Sequence, residues 1–184
     1  LRIGTPALAS RGFGSAAFAE VADIIAEVDA SLRRVGKALT SEQFADTLRI
    51  VGPVPLDQLE AYTSVPLNSL EQSLHGRVMR VRIGGREHVA QVLDAPLLRD
   101  GLGVPVPPGV AAQVQTIPDA LAQLVGRWVR TRGPFTLRDL ADAFGLAVGA
   151  AHAALQPLVD KDKVIPGRYR QGVEEEEYVA AEVL

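Results

Sequence analysis

Val78-Met79-Arg80-Val81-Arg82-Ile83-Gly84-Gly85-Arg86-Glu87-His88-Val89-Ala90-Gln91-Val92 is the stretch on which the fold turns. Val78, Val81 and Ile83 stand among arginines, Gly84-Gly85 can make a tight turn, and Val89 and Val92 follow. Strand, two-glycine turn, strand is the signature of a β-hairpin. Upstream, Thr40 and Gln43 have capping-box spacing and open a helix through Phe44, Leu48 and Ile50 that Gly52-Pro53 breaks. Pro55 can start a second helix through Leu56, Leu59 and Tyr62, and Pro66 a third through Leu67, Leu70 and Leu74, stopping at Gly76. Three helices and then a hairpin is the order of a winged helix-turn-helix. A short helix over 97–102 closes the unit.

Three prolines and two glycines between Gly103 and Gly109 read as a linker. The order then repeats. Residues 117–132 suit a helix carrying Leu121, Leu124, Val125, Trp128 and Val129; Gly133-Pro134 breaks it, and Thr136 caps a helix with Leu137, Leu140 and Phe144. A third helix is expected over 148–158, with Val164-Ile165 and Tyr178-Val179 as wing strands around a tip containing Gly172. Gly52-Pro53-x-x-Leu56-x-x-Leu59 recurs as Gly133-Pro134-x-x-Leu137-x-x-Leu140, which argues for two copies of one module. Before both, Phe18, Val21, Ile25, Val28, Leu32 and Val35 form an apolar stripe at helical spacing. The expected fold is therefore mostly α with small β wings (α+β), a tandem of winged helices. Its parts are an N-terminal segment with an amphipathic helix (1–39), a first winged helix (40–103), a linker (104–115) and a second winged helix (116–184).

Composition narrows the functions. The 184 residues include 47% apolar and only 5% aromatic side chains, so cores must be built mainly from Ala, Val and Leu. Nineteen Lys and Arg against 22 Asp and Glu give a net charge of −3, which excludes a nucleic-acid binder working by charge over its whole surface. Zero Cys removes disulfides, thiolate zinc sites and cysteine nucleophiles, and the three His have no metal-ligand spacing. No apolar run is long enough to span a membrane and no signal peptide is visible, so a cytoplasmic location is expected. Leu1 stands where an initiator Met would, implying a processed chain or a fragment. No phosphate loop of the GxxxxGK[ST] type occurs, so no ATPase is expected, nor any catalytic residue, metal or cofactor.

The candidate site is the first wing, where Arg77, Arg80, Arg82 and Arg86 stand against one acid, Glu87. Wings and third helices are where such folds meet phosphates and grooves, and the third helix adds Asn68 and Gln72, with Ser69 and His75. An arginine-rich wing is equally what a solvated strand face looks like. The second wing holds Glu174 to Glu177, which would repel phosphate and read as a solvated tip. His152 lies in an Ala-rich helix and Trp128 among apolar neighbours, so both are expected to be structural.

Several segments resemble the C-terminal region of large helicase-related (Lhr) proteins. They are 78–85, Asp94-Ala95-Pro96-Leu97-Leu98-Arg99-Asp100-Gly101-Leu102-Gly103, 107–110, 124–136 and Glu177-Tyr178-Val179-Ala180-Ala181-Glu182-Val183-Leu184. The last is similar to that family's Glu-Trp-Cys-Asp-Ala-Glu-Val-Leu, with Tyr178, Val179 and Ala180 replacing Trp, Cys and Asp. The resemblance covers about 41–184 and implies tandem winged helices from the extension of a DNA-repair helicase whose motor lies outside this chain. Uracil removal associated with such extensions cannot be placed on residues here. Residues 1–30, from Leu1-Arg2-Ile3-Gly4-Thr5-Pro6 to Val21-Ala22-Asp23-Ile24-Ile25, are similar to the C-terminal region of serine hydroxymethyltransferase, in which the arginine matching Arg2 binds the substrate carboxylate. The lysine that holds pyridoxal phosphate is missing, which suggests a chimeric, recombined or engineered chain. Three functions follow as expectations: a non-catalytic module binding DNA weakly through its backbone, a protein-interaction or scaffold module that self-associates or meets other helicase domains, and a recombined fold with no selected function.

Overall fold

The computed structural model describes residues 37–110 and 115–183. The helix expected within 15–35 lies outside them. The described residues fall into two compact units, one ending at Trp128 and the other starting at Val129.

In the first unit, α1 (Ser41–Val51) starts where the Thr40 side chain accepts from the Gln43 N–H and ends at Gly52, whose φ of 81° suits glycine. The capping box expected here is modified, because the Gln43 side chain accepts from Leu39 N–H instead of the cap's own. Where one helix from Pro55 was expected, three pieces follow: β1 (Val54–Pro55), a 3₁₀ turn (Leu56–Gln58) and α2 (Leu59–Tyr62). The strand exists because Val54 and Pro55 pair with Val89 and His88, a long-range contact that local spacing does not announce. Next come α3 (Leu67–Ser73), β2 (Val78–Ile83) and β3 (Arg86–Gln91). The hairpin turns at Gly84 and Gly85, both with positive φ, as a two-residue turn with right-handed twist requires.

The three strands make an antiparallel sheet in the order β1-β3-β2. Phe44, Leu48, Val54, Leu70, Leu74 and Val89 are buried together beneath it. The Gln91 side chain donates to the Ala45 carbonyl and ties the sheet to α1. A 3₁₀ turn (Val92–Asp94) leads into α4 (Ala95–Leu102), which carries Pro96 in its first turn and stops at left-handed Gly103.

The next element, α5 (Ala120–Val129), is shorter than the 117–132 expected; Asp119, with φ of 52°, cannot extend it backward. The division between units falls inside α5, not at the proline-rich stretch 104–115. Two contacts explain why α5 stays with the first unit up to Trp128. A Cβ on Gly101 would lie within about 3 Å of Leu121 N and Leu124 Cδ1, so only glycine lets α5 approach this closely. Asp94 also receives two hydrogen bonds of 3.0 Å from the Arg127 guanidinium.

In the second unit, β4 (Phe135–Thr136) runs into α6 (Leu137–Phe144) through a complete capping box between Thr136 and Asp139. The unit continues with α7 (Val148–Val159), β5 (Val164–Gly167) and β6 (Glu177–Ala180). Its antiparallel sheet has the order β4-β6-β5. Leu140, Phe144, Ala151, Leu155, Val164 and Val179 are buried, and the Phe135 and Tyr178 rings stack with centroids 6.0 Å apart. The described residues are mostly α with two small antiparallel sheets. Among the described residues no helix is long and apolar enough to cross a membrane.

Candidate nucleic-acid interface

The β2 alternation puts Met79, Val81 and Ile83 inward and leaves Arg80 and Arg82 on one exposed face. Beside it, α3 buries Leu70 and exposes Asn68 and Gln72. Five of the six expected site residues thus occur on the hairpin and the third helix of one unit, and Arg77 lies in the turn that joins them. The Asn68 side chain is partly committed, since its oxygen accepts from Ser69 N–H.

The arginines do not face a single acid. Arg77 Nη1 donates to both Glu42 oxygens at 2.8 and 2.9 Å, although Glu42 is 35 residues away. Arg80 grips both oxygens of Glu71 through Nε and Nη2. Arg86 Nη2 donates to both oxygens of Asp57, at 2.7 and 2.6 Å. Arg82 has only the looser approach of Glu87, at 3.7 Å across the hairpin, and its side chain is 71% exposed. Four positive charges therefore stand against four negative ones.

Sequence reading missed Glu42, Asp57 and Glu71 because they come from α1, the 3₁₀ turn and α3, and only the fold brings them to the wing. Proton affinities register the tightest pair: the hydrogen bond from Arg80 holds the Glu71 carboxyl below its usual range and raises Arg80 in turn. These pairs are exposed, so each contributes no more than about 1 kcal/mol to folding. The Arg80–Glu71 pair stands at an open cleft of about 750 Å³ lined also by Val78, Met79, Val89 and Val92.

His88, on β3, is buried, and its Nδ1–H donates to the Arg86 carbonyl at 2.9 Å. Burial pushes its imidazole below its ordinary value, so it favours the neutral form.

The second wing needs a correction. Glu174 to Glu177 were expected to form a solvated tip, yet the Glu177 side chain has no exposed surface. Its Oε2 accepts from Tyr169 N–H and Arg170 N–H, both at 2.7 Å, and its Oε1 is gripped by Arg170 Nε. It belongs to β6, the central strand of the sheet and buried along its whole length, and from there it closes the loop over 168–176. Glu175 meets Arg138 at 3.2 Å, and Glu176 accepts from the Tyr178 hydroxyl. Burial, helped by Glu176, pushes the Tyr178 hydroxyl up to about 12. His152 is exposed and Trp128 is buried. Among the described residues no group of His, Cys, Asp or Glu could hold a metal ion.

Residues 22–117 match the family described as large helicase-related protein, winged-helix domain. The chain is similar to the Lhr helicase/probable uracil glycosylase of Mycolicibacterium smegmatis, 36% identical over 168 residues, which is 88% of the chain and 11% of that protein. It is also similar to the Lhr helicase/uracil glycosylase of Escherichia coli, 28% identical over 151 residues, covering 77% of the chain and 10% of that protein. The chain thus spans about a tenth of the length of these relatives. A separate likeness is to serine hydroxymethyltransferase of Mycobacterium leprae, 82% identical over 28 residues, or 15% of the chain and 7% of that enzyme.

Proposed function

The chain belongs to the family of large helicase-related proteins, and on that premise we propose that it acts as a non-catalytic winged-helix module that meets DNA weakly through its first wing. The observation that carries this reading is the shared exposed face of Arg80 and Arg82 beside the polar face of α3 with Asn68 and Gln72. Arg82 leads, because it is the most exposed of the four and has the loosest partner. Backbone phosphates are its natural ligand: an exposed guanidinium offers donors to oxyanions without reading sequence.

With Arg77, Arg80 and Arg86 engaged by carboxylates, few counterions are released, and the log–log salt slope is about −1 to −2 instead of the −3 to −4 that four free arginines would give. Helicase and glycosylase activities belong to the names of the longer relatives; this chain contributes no phosphate loop to either. The matching strand order of the two sheets supports reading the units as two copies of one module. The serine hydroxymethyltransferase likeness supports a recombined chain.

One observation favours a second reading, a protein-docking module: the wing's charges cancel within the unit, which suits association with another domain as well as with a polyanion. Fluorescence anisotropy with a labelled single strand and its duplex, at low and physiological salt, separates the two. Weak binding that Arg80→Ala/Arg82→Ala abolishes supports the DNA reading. Absence of binding at low salt, or a double variant that binds like the parent, overturns it in favour of docking.

A further inference from the structure

We infer that Glu42, Asp57, Glu71 and Glu87, and not only the arginines they hold, set how strongly the first wing takes a nucleic-acid backbone; this rests on the phosphate-binding reading above. Glu42, Asp57 and Glu71 come from three different elements, α1, the 3₁₀ turn and α3, and converge on the wing and its base, where Glu87 of β3 adds a fourth carboxylate from the hairpin itself. Glu42, Asp57 and Glu71 each engage their arginine through both oxygens. Arg80 presents the Nε–Nη2 edge of its guanidinium to Glu71, while Arg77 and Arg86 each spread one terminal nitrogen over both oxygens; in either case two oxygens of one anion sit where phosphate oxygens would. The carboxylates therefore occupy the donors a phosphate needs, and DNA must displace them.

The exchange replaces one charge-assisted hydrogen bond by another and yields little net affinity for the three tightly paired arginines. Arg82 escapes this limit, since Glu87 approaches only to 3.7 Å. The ligand these carboxylates discriminate against is a weakly held polyanion: only a backbone that meets several arginines at once can displace several carboxylates. The grip on Glu71 is the tightest, as its lowered proton affinity agrees. Glu71 is accordingly the residue whose neutralisation releases most.

The test uses the whole chain, a labelled single strand and its duplex, and the variants Glu71→Gln, Glu42→Gln and Asp57→Asn, singly and combined. Glu60→Gln is the control, because Glu60 is exposed, changes the net charge equally and pairs with none of the four arginines. Glu71→Gln should tighten binding about two- to five-fold, the worth of one exposed pair, while Glu60→Gln changes it far less. The combined variant should steepen the salt slope by about one unit for each arginine released, towards −3 to −4. If the parent binds but Glu71→Gln tightens binding no more than Glu60→Gln, the inference is overturned and the phosphate-binding reading stands. If neither parent nor any variant binds at low salt, that reading fails and takes the inference with it. Should the combined variant lose its helical circular dichroism, the three single variants decide by the same comparison.

Discussion

Glu177→Ala should be among the most damaging single changes in the second unit. It strips the acceptor from the main-chain N–H groups of Tyr169 and Arg170 and from Arg170 Nε. Water cannot substitute, because the Glu177 side chain has no exposed surface. Breaking a buried ion pair costs about 3–5 kcal/mol, a figure that includes the penalty for donors left without partners. Arg170 is 41% exposed and lies 3.7 Å from Asp139, so its guanidinium can find other company. That places the expected loss at the lower end, about 3 kcal/mol. Glu177→Gln keeps an oxygen for the two main-chain donors but turns an amide toward Arg170, so its loss should be smaller, about 1–2 kcal/mol. Urea unfolding followed by far-UV circular dichroism gives the two differences, and hydrogen exchange at Tyr169 and Arg170 locates them. A Glu177→Ala loss below about 1 kcal/mol, or a glutamine variant as damaged as the alanine, would refute the reasoning.

Other outcomes follow from the same contacts. The first unit should lose stability as pH falls below about 6.5, the ordinary value for an unfolded histidine, because burial lowers the folded-state value of His88 and protonation then favours unfolding; thermal melts of the parent and His88→Gln between pH 7 and 5 should converge if this group is responsible. Gly101→Ala should destabilise by about 1–3 kcal/mol, since its Cβ would press on the backbone of Ala120 and Leu121, whereas Gly149→Ala, with open space around it, should stabilise by about 0.5–1 kcal/mol; equal effects in a denaturant titration would contradict both. Asp94→Ala leaves the partly buried Arg127 without its double hydrogen bond and should cost about 2–3 kcal/mol, measurable in the same titration.

The elements that could be read from sequence were those written in local chemistry. Gly84-Gly85 announces its turn because two adjacent positions need positive φ. Thr136 announces its helix because a threonine at that position can accept from the first turn's N–H groups, and in the structure Asp139 completes the box. What escaped was settled by distant neighbours. Val54-Pro55 and Phe135-Thr136 are strands only because Val89, His88, Tyr178 and Glu177 lie opposite them. Glu177 hid within a run of four identical charges whose average suggests solvent. The arginines were visible as candidates, but their carboxylates were not: Glu42 and Asp57 lie 35 and 29 residues from the arginines they hold. A count of charges along one hairpin therefore overstated its field.

The two-glycine turn also limits how this wing can evolve. Facing residues are fixed from Ile83 and Arg86 at the tip back to Val78 and Gln91 at the base. Lengthening one arm by a single residue would shift its side chains to the opposite face, sending Arg80 and Arg82 into the core and Met79, Val81 and Ile83 into water. Adding a residue to both arms keeps the pairing, yet alternation still requires growth in full pleats to keep the tip's own faces matched. Among descendants of this chain, the hairpin should therefore change length in even steps, with odd insertions surviving only where a bulge absorbs the extra residue.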